Sequence, residues 1–378
     1  MSFTWLWVIL GILLYLAGLI FVILFFLYKS VFQNRVQRCL AVYQQPGYKN
    51  QFKPIPNEWL NHPLSNFYIA SSHRSYLPCG EQWDLNSYDA IKGVINAGAR
   101  FVHLDVYSDG RFITDKNANL IVAAGKNPDS GRNLVEMPFL GKPLDFNKCL
   151  EIISENAWLG NNYPFFLFLD LHLYKNQYMK NKVAQSVNKT LGAHLMNKKY
   201  AFQRFQLGNI KLSDTLNQVI LLVSDYPNGP ELDELTNCAV SANNQKFNNI
   251  AVPYQNISYG GLTTSNQSYL MNFNTEYMTR VYLENYYNIV NLVSPKYDVF
   301  NMPYKKAFDL GCQFVCMNYQ VDDEHMRDYI KFFQESGIQL KPSNLLAKPS
   351  KPINLEKPVT ITNAPRQFSD PGWVTFTY

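Results

Sequence analysis

From Trp5 to Tyr28 the chain reads WLWVILGILLYLAGLIFVILFFLY, an apolar run without one charged side chain. At about 1.5 Å per helical residue it is long enough to cross a hydrocarbon layer of roughly 30 Å. Tryptophans stand at one end and Tyr28 at the other, where an interfacial aromatic belt places them. A cleaved signal peptide needs a basic leader, a shorter apolar core and small residues at the cleavage site. Here the leader MSFT carries no basic side chain, and bulky aromatics follow the core. The pattern predicts an uncleaved anchor over residues 1–29. Lys29, Arg35 and Arg38 follow the span and nothing basic precedes it. By the positive-inside rule the bulk of the chain is expected on the cytoplasmic side, or in a virion interior.

A connector over 30–61 ends in FKPIPNEW, and the pattern then changes. NFYIAS, ARFVHLDVYS, PFFLFLDLHLY, NQVILLVSD and GCQFVCMNYQ are short apolar runs bounded by Gly, Pro, Asn or Asp, and read as strands. NSYDAIKGVINAG, FNKCLEIISENAW and KNKVAQSVNKTLGAHL space their apolar residues as helices do. Strand–helix alternation over this length predicts an α/β fold with a parallel sheet. Polar residues gather at strand C-terminal ends, which favours a (β/α)8 barrel with its site on that face. Residues 226–276 are rich in Asn, Ser, Thr and Gly and weakly periodic, and read as a linker or irregular insertion. The tail at 343–378 follows Pro342 with Pro349, Pro352, Pro358, Pro365 and Pro371, an extended arm that suits a protein partner.

Composition narrows the classes. The 378 residues are 47% hydrophobic and 15% aromatic, enough for a packed core. A net charge of +5 hints at an anionic surface or ligand, while the lack of a dense Lys/Arg run argues against nucleic acid. The six cysteines form no CxxC pair, which argues against structural zinc and suits reduced thiols.

Several blocks in order resemble phosphoinositide-specific phospholipase C. HPLSNFYIASSHRSYL, GARFVHLDVYSDG and NNYPFFLFLDLH resemble its X region. TRVY, GCQFVCMNYQ and GIQLKP resemble its Y region. The likeness runs over about 62–342, an X-like half at 62–225 and a Y-like half at 277–342. It implies a distorted TIM barrel, phosphoinositide head groups as ligands, a calcium ion and two acid–base histidines. His73 matches the first histidine. The next position, normally an Asn calcium ligand, is Arg74, which only donates and stays cationic. In the second block His103 replaces Glu while Asp105 is kept; on the third strand Asp170 replaces Glu. Ala124 stands where the second histidine belongs, and the phosphate-binding Lys-x-Lys pair is missing from ILLVSDYP. Arg280 and Tyr282 match residues that contact inositol phosphates.

The resemblance thus implies a phospholipase C-like domain without calcium or other cofactor, inactive, and bound to a bilayer or its phosphoinositides. One lost general acid or base costs about 10²–10⁴-fold in rate. Arg74 paired with Asp105 would substitute a fixed cation for the metal. Blunter readings stand beside these: His73 as a hydrogen-bonded core histidine, Arg280 as a loop-stabilising residue, His172 as structural. Three rivals remain. The first is a calcium-independent phosphodiesterase in which Arg74 replaces the metal and His103 the missing histidine. The second is a zinc- or manganese-type site of His73, His103, Asp105 and Asp170. The third is a purely structural membrane protein.

Overall fold

The computed structural model describes residues 3–78, 86–110, 115–123, 142–173, 176–224, 229–239, 254–258, 261–264, 267–282 and 301–346. The Pro-rich tail and Ala124 lie outside the described residues. In chain order the strands are β1 (Phe67–Ser72), β2 (Phe101–Ser108), β3 (Leu120–Val122), β4 (Leu144–Asp145), β5 (Phe165–Leu171), β6 (Val219–Val223), β7 (Cys238–Ala239), β8 (Tyr254–Ser258), β9 (Met278–Tyr282), β10 (Phe314–Met317) and β11 (Ile338–Leu340). The α-helices are α1 (Phe3–Ala41), α2 (Tyr88–Asn96), α3 (Phe146–Asn156), α4 (Gln177–Leu191), α5 (Pro230–Leu235), α6 (Gly261–Thr264), α7 (Gln267–Glu276), α8 (Lys305–Asp309) and α9 (Glu324–Phe333).

Parallel strands run in the order β7-β6-β5-β2-β1-β10-β9-β8, the curled sheet of a distorted (β/α)8 barrel. The alternation of side chains explains why its strands read as unbroken apolar runs: both faces are buried. Phe67, Ile69, Phe101, Phe166, Phe168, Ile220, Leu222, Met278 and Phe314 form the interior cluster. Their strand neighbours Tyr68, Val102, Leu104, Leu167, Leu169, Leu221 and Val315 join the cluster shared with the helices. Helix starts are fixed by side chains that accept an orphan N–H: Asp145 from Lys148, Asn176 from Met179 and Asp323 from Met326. The buried cysteines Cys149, Cys238, Cys312 and Cys316 are free thiols.

Two stretches differ from the sequence expectation. Residues 226–276 hold α5, β7, β8, α6 and α7, so the described part of this stretch contributes barrel elements rather than only an irregular insertion. Their strands are short, two residues in β7 and the polar YQNIS in β8, which hides the period-2 signal. The second is the connector. Helix α1 does not end with its apolar span, Trp7–Leu27, but continues to Ala41. The residues after it are tied to the barrel. Asn50 N–H donates to the Asn96 carbonyl, Gln51 N–H to Gln334 and Lys53 N–H to Glu335. Tyr43 lies so close to α2 that a Cβ on Gly93 would sit 2.5 Å from its ring. Gly93→Leu is therefore expected to cost about 1–3 kcal/mol by overpacking. Hydrogen exchange should quicken first over 42–53, and unchanged protection there would refute this packing.

Candidate active site

The barrel places six titratable side chains at the C-terminal ends of three adjacent strands. His73 and Arg74 leave β1, His103 and Asp105 lie on β2, and Asp170 and His172 lie at the end of β5. Parallel register sets Asp105 beside Asp170 directly. Arg280 comes from β9, across β10 from β1. Arg74 holds φ +40°, a left-handed conformation that L side chains seldom adopt.

Asp105 is the hub. It is buried, and its oxygens are taken by side chains of this chain. Tyr76 donates its hydroxyl to Oδ2 at 2.6 Å. The Arg74 Nε stands 3.4 Å from the same oxygen. His172 Nε2 lies 3.1 Å from Oδ1. Burial alone would raise the Asp105 pKa, but Arg74 first, and the His172 hydrogen bond, outweigh it and hold it well below the usual carboxylate range. The converse holds for the cations. Burial works against the charge on Arg74, and Asp105 more than restores it. Burial also opposes a proton on His172, yet Asp170 and Asp105 raise its pKa. The imidazole of His172 stacks on Tyr107 with ring centroids 4.4 Å apart.

His103 and His73 go the other way. Burial, with Arg280 and Arg74 nearby, keeps both imidazoles neutral, their pKa values well below 6.5. For His103 the tautomer follows from its neighbours. Its Nδ1 accepts from the Arg74 backbone N–H at 3.3 Å and faces Arg280 Nη2 at 3.2 Å. Both neighbours are donors, so Nδ1 carries the lone pair and Nε2 the proton. That proton points at carboxylates too distant to bond well, 3.7 Å to Asp105 and 3.9 Å to Asp170. The His73 nitrogens find no hydrogen-bond partner among the described residues, so His73 is not the satisfied core histidine of the blunter reading. The Arg280 guanidinium lies 4.4 Å from the Phe168 ring centroid and 5.6 Å from that of Tyr282, and its Nε donates to Cys316 Sγ.

A metal fits this donor set poorly. Calcium takes six to eight oxygens, about 2.3–2.6 Å away. Here an arginine stands on the carboxylate that would lead the set, and His103 offers nitrogen. Ligand atoms of His103, Asp105 and Asp170 do lie within 4.8 Å of one another. A softer metal would need the lone pair of His103 Nε2, however. Moving the proton to Nδ1 would set it against the Arg74 N–H and Arg280, donor against donor.

Sequence reasoning missed two members of the cluster. Tyr76 gave no signal beyond its nearness to His73. His172 was read as structural, although it alternates with Asp170 on one strand face; the structure sets it in the site, on Asp105. The second-histidine position at Ala124 falls outside the described residues.

Comparison with known proteins follows the same lines. A family model described as phosphatidylinositol-specific phospholipase C, X domain, matches residues 60–224. Phosphoinositide phospholipase C 1 of Arabidopsis thaliana is 31% identical over 141 residues, 36% of this chain and 21% of that protein. Inactive phospholipase C-like protein 1 of Mus musculus is 25% identical over 334 residues, 75% of this chain and 27% of that protein. The chain thus spans about a quarter or less of the length of these relatives. The crystal structure of L. pealei PLC21 has the same fold, with a TM-score of 0.59 at 18% identity, covering 75% of this chain and 38% of that one.

Proposed function

We propose, for a chain that carries a phospholipase C-like barrel, that it is a membrane-anchored holder of phosphoinositide head groups that needs no metal and does not hydrolyse them. The observation that carries this reading is Arg74 on Asp105, 3.4 Å away, at the position where the resemblance implies a calcium ligand. With the Asp105 oxygens taken by Tyr76, Arg74 and His172, Asp170 is the one open carboxylate of the cluster among the described residues, too few oxygens to hold a calcium ion. The mouse relative, described as inactive, is consistent with this reading. Charge supports ligand binding. Arg74, Arg280 and His172, whose pKa Asp170 and Asp105 raise against burial, gather at one strand-end face, and guanidinium suits bidentate recognition of phosphate. Calcium-independent hydrolysis loses ground on His103: its free lone pair already accepts from Arg74 and faces Arg280, which leaves no base on that ring. The apolar span of α1, Trp7–Leu27, supports the anchor.

The test pairs two liposome assays on the full chain. No inositol phosphate should be released from phosphoinositide vesicles, with calcium or with a chelator. Vesicles containing phosphoinositide should bind more tightly than phosphatidylcholine alone. Arg280→Ala should weaken that preference about tenfold, the worth of one charge-assisted hydrogen bond. Calcium-stimulated release would overturn the reading, and so would a preference that Arg280→Ala leaves intact.

A further inference from the structure

We infer that His103 is a positioning residue: it holds the Arg280 guanidinium in the site without cancelling its charge, and so decides how well the site takes the phosphate of a head group. This rests on the ligand half of the reading above. The two side chains come from strands that are not neighbours, β2 and β9, with β1 and β10 between them. Both are buried, His103 with 2% and Arg280 with 4% of its surface exposed. They meet at His103 Nδ1, 3.2 Å from Arg280 Nη2. Phe168, the partner of His103 in the β2–β5 register, braces both groups. Its ring centroid lies 5.0 Å from that of His103, edge to face, and 4.4 Å from Cζ of Arg280. Arg280 Nε donates to Cys316 Sγ at 3.4 Å. The guanidinium is thus held at Nε, at Nη2 and over one face.

The kind of acceptor decides what becomes of the charge. His103 Nδ1 faces two donors, Arg280 and the Arg74 backbone N–H, so it carries the lone pair, and with its proton on Nε2 the ring is neutral. A neutral acceptor orients a guanidinium and leaves its positive charge in place. A carboxylate orients it and cancels that charge as well. The glutamate that the resemblance expects at position 103 would be such a carboxylate. The ring also stands between unlike charges. Its Nδ1 faces Arg280, while Nε2 points at Asp105 and Asp170, 3.7 and 3.9 Å away. Taking the imidazole out opens the way for Arg280 to close on these acids. An arginine fixed before the ligand arrives need not be ordered on binding, which lowers the cost of association.

The experiment titrates the full chain, solubilised in detergent, with a short-chain phosphatidylinositol 4-phosphate and follows binding by calorimetry. His103→Leu removes the acceptor and is expected to weaken binding about three- to tenfold, the worth of one charge-assisted hydrogen bond. His103→Asn offers Oδ1 near the place of Nδ1 and should return binding to within about twofold of the native chain. His103→Glu should weaken it at least as much as Arg280→Ala, about tenfold. In an Arg280→Ala background His103→Leu should add nothing, because its effect runs through Arg280. Native-like binding by His103→Leu or His103→Glu overturns the inference, and so does a His103→Leu loss that persists without Arg280. If the leucine variant does not fold, the asparagine and glutamate variants decide. Failure of the native chain to bind this probe overturns the ligand reading instead. Denaturant midpoints then test the contact by itself: a coupling of about fivefold or more in the unfolding equilibrium between His103→Leu and Arg280→Met upholds it, and additive losses overturn it.

Discussion

Arg74→Met should cost the folded barrel about 3–5 kcal/mol, the usual penalty for leaving one partner of a buried ion pair alone. Asp105 has 2% of its side chain exposed and Arg74 has 14%, so little water is available to take the place of the guanidinium. Methionine keeps the length of the stem and leaves the left-handed backbone at residue 74 as it is, so the variant tests charge. Tyr76 and His172 would still hold Asp105, which sets an upper bound on the loss. The pH dependence has a definite sign. In the native chain Asp105 is depressed, so its stabilisation is present above the ordinary carboxylate value and is lost as pH falls through the folded one. The gap between native and variant proteins should therefore narrow on acidification. Adding Asp105→Asn to Arg74→Met should recover most of the loss. Denaturant midpoints of these three proteins and of Asp105→Asn alone give the coupling energy directly. A single-variant loss within about 0.5 kcal/mol, the range of an exposed ion pair, would sink the claim that Arg74 has replaced the metal.

This substitution also bears on function. Arg74→Asn restores the residue type that the family resemblance expects, yet calcium affinity should not return with it. His103 still presents nitrogen in place of a carboxylate, and its Nδ1 still faces Arg280. The site differs from a calcium site at several linked positions, and each change is stabilised by another. Asp105 keeps Arg74 charged against burial, Asp170 and Asp105 raise the His172 pKa, and burial with Arg280 holds that of His103 well below 6.5.

How much of this was legible in the chain depends on what each residue's signal is made of. β1, β2, β5, β6 and β10 announced themselves because strands buried on both faces must be apolar throughout. β8 did not, because YQNIS mixes polar and apolar side chains and lies in an Asn-rich stretch. The neighbourhood of Asp105 and Asp170 was readable from parallel register, since both close apolar runs that end in polar residues. Arg74 facing Asp105 was readable as charge compensation. The tautomer of His103 was not readable, because it depends on Arg280, 177 residues away in the chain. The docking of the connector on the barrel is not readable for a similar reason: several of its hydrogen bonds are made by backbone groups, which leave no trace in side-chain pattern.

Lys341 shows the same limit and yields the second large expectation. In sequence it is one letter of GIQLKP; in the fold it is 2% exposed, with Nζ donating to the Asn274 carbonyl. Burial pushes its pKa down from 10.5 to about 7, with Cys312 opposing only weakly. Between those two values the unfolded chain holds the proton more firmly than the folded one, so stability rises with pH across that window. At about 1.4 kcal/mol per unit, the full rise is at most about 5 kcal/mol. Lys341→Met keeps the stem and removes the charge. The Asn274 carbonyl is not orphaned, because Gln313 Nε2 also donates to it at 2.9 Å. The variant should therefore be about 2–4 kcal/mol more stable than the native chain near pH 7, with the two converging as pH approaches 10.5. Urea midpoints from pH 6.5 to 10 measure the difference, and groups that titrate in both proteins cancel from it. Parallel curves would mean that Lys341 keeps an ordinary pKa, and that the base of the barrel admits more water than its packing implies.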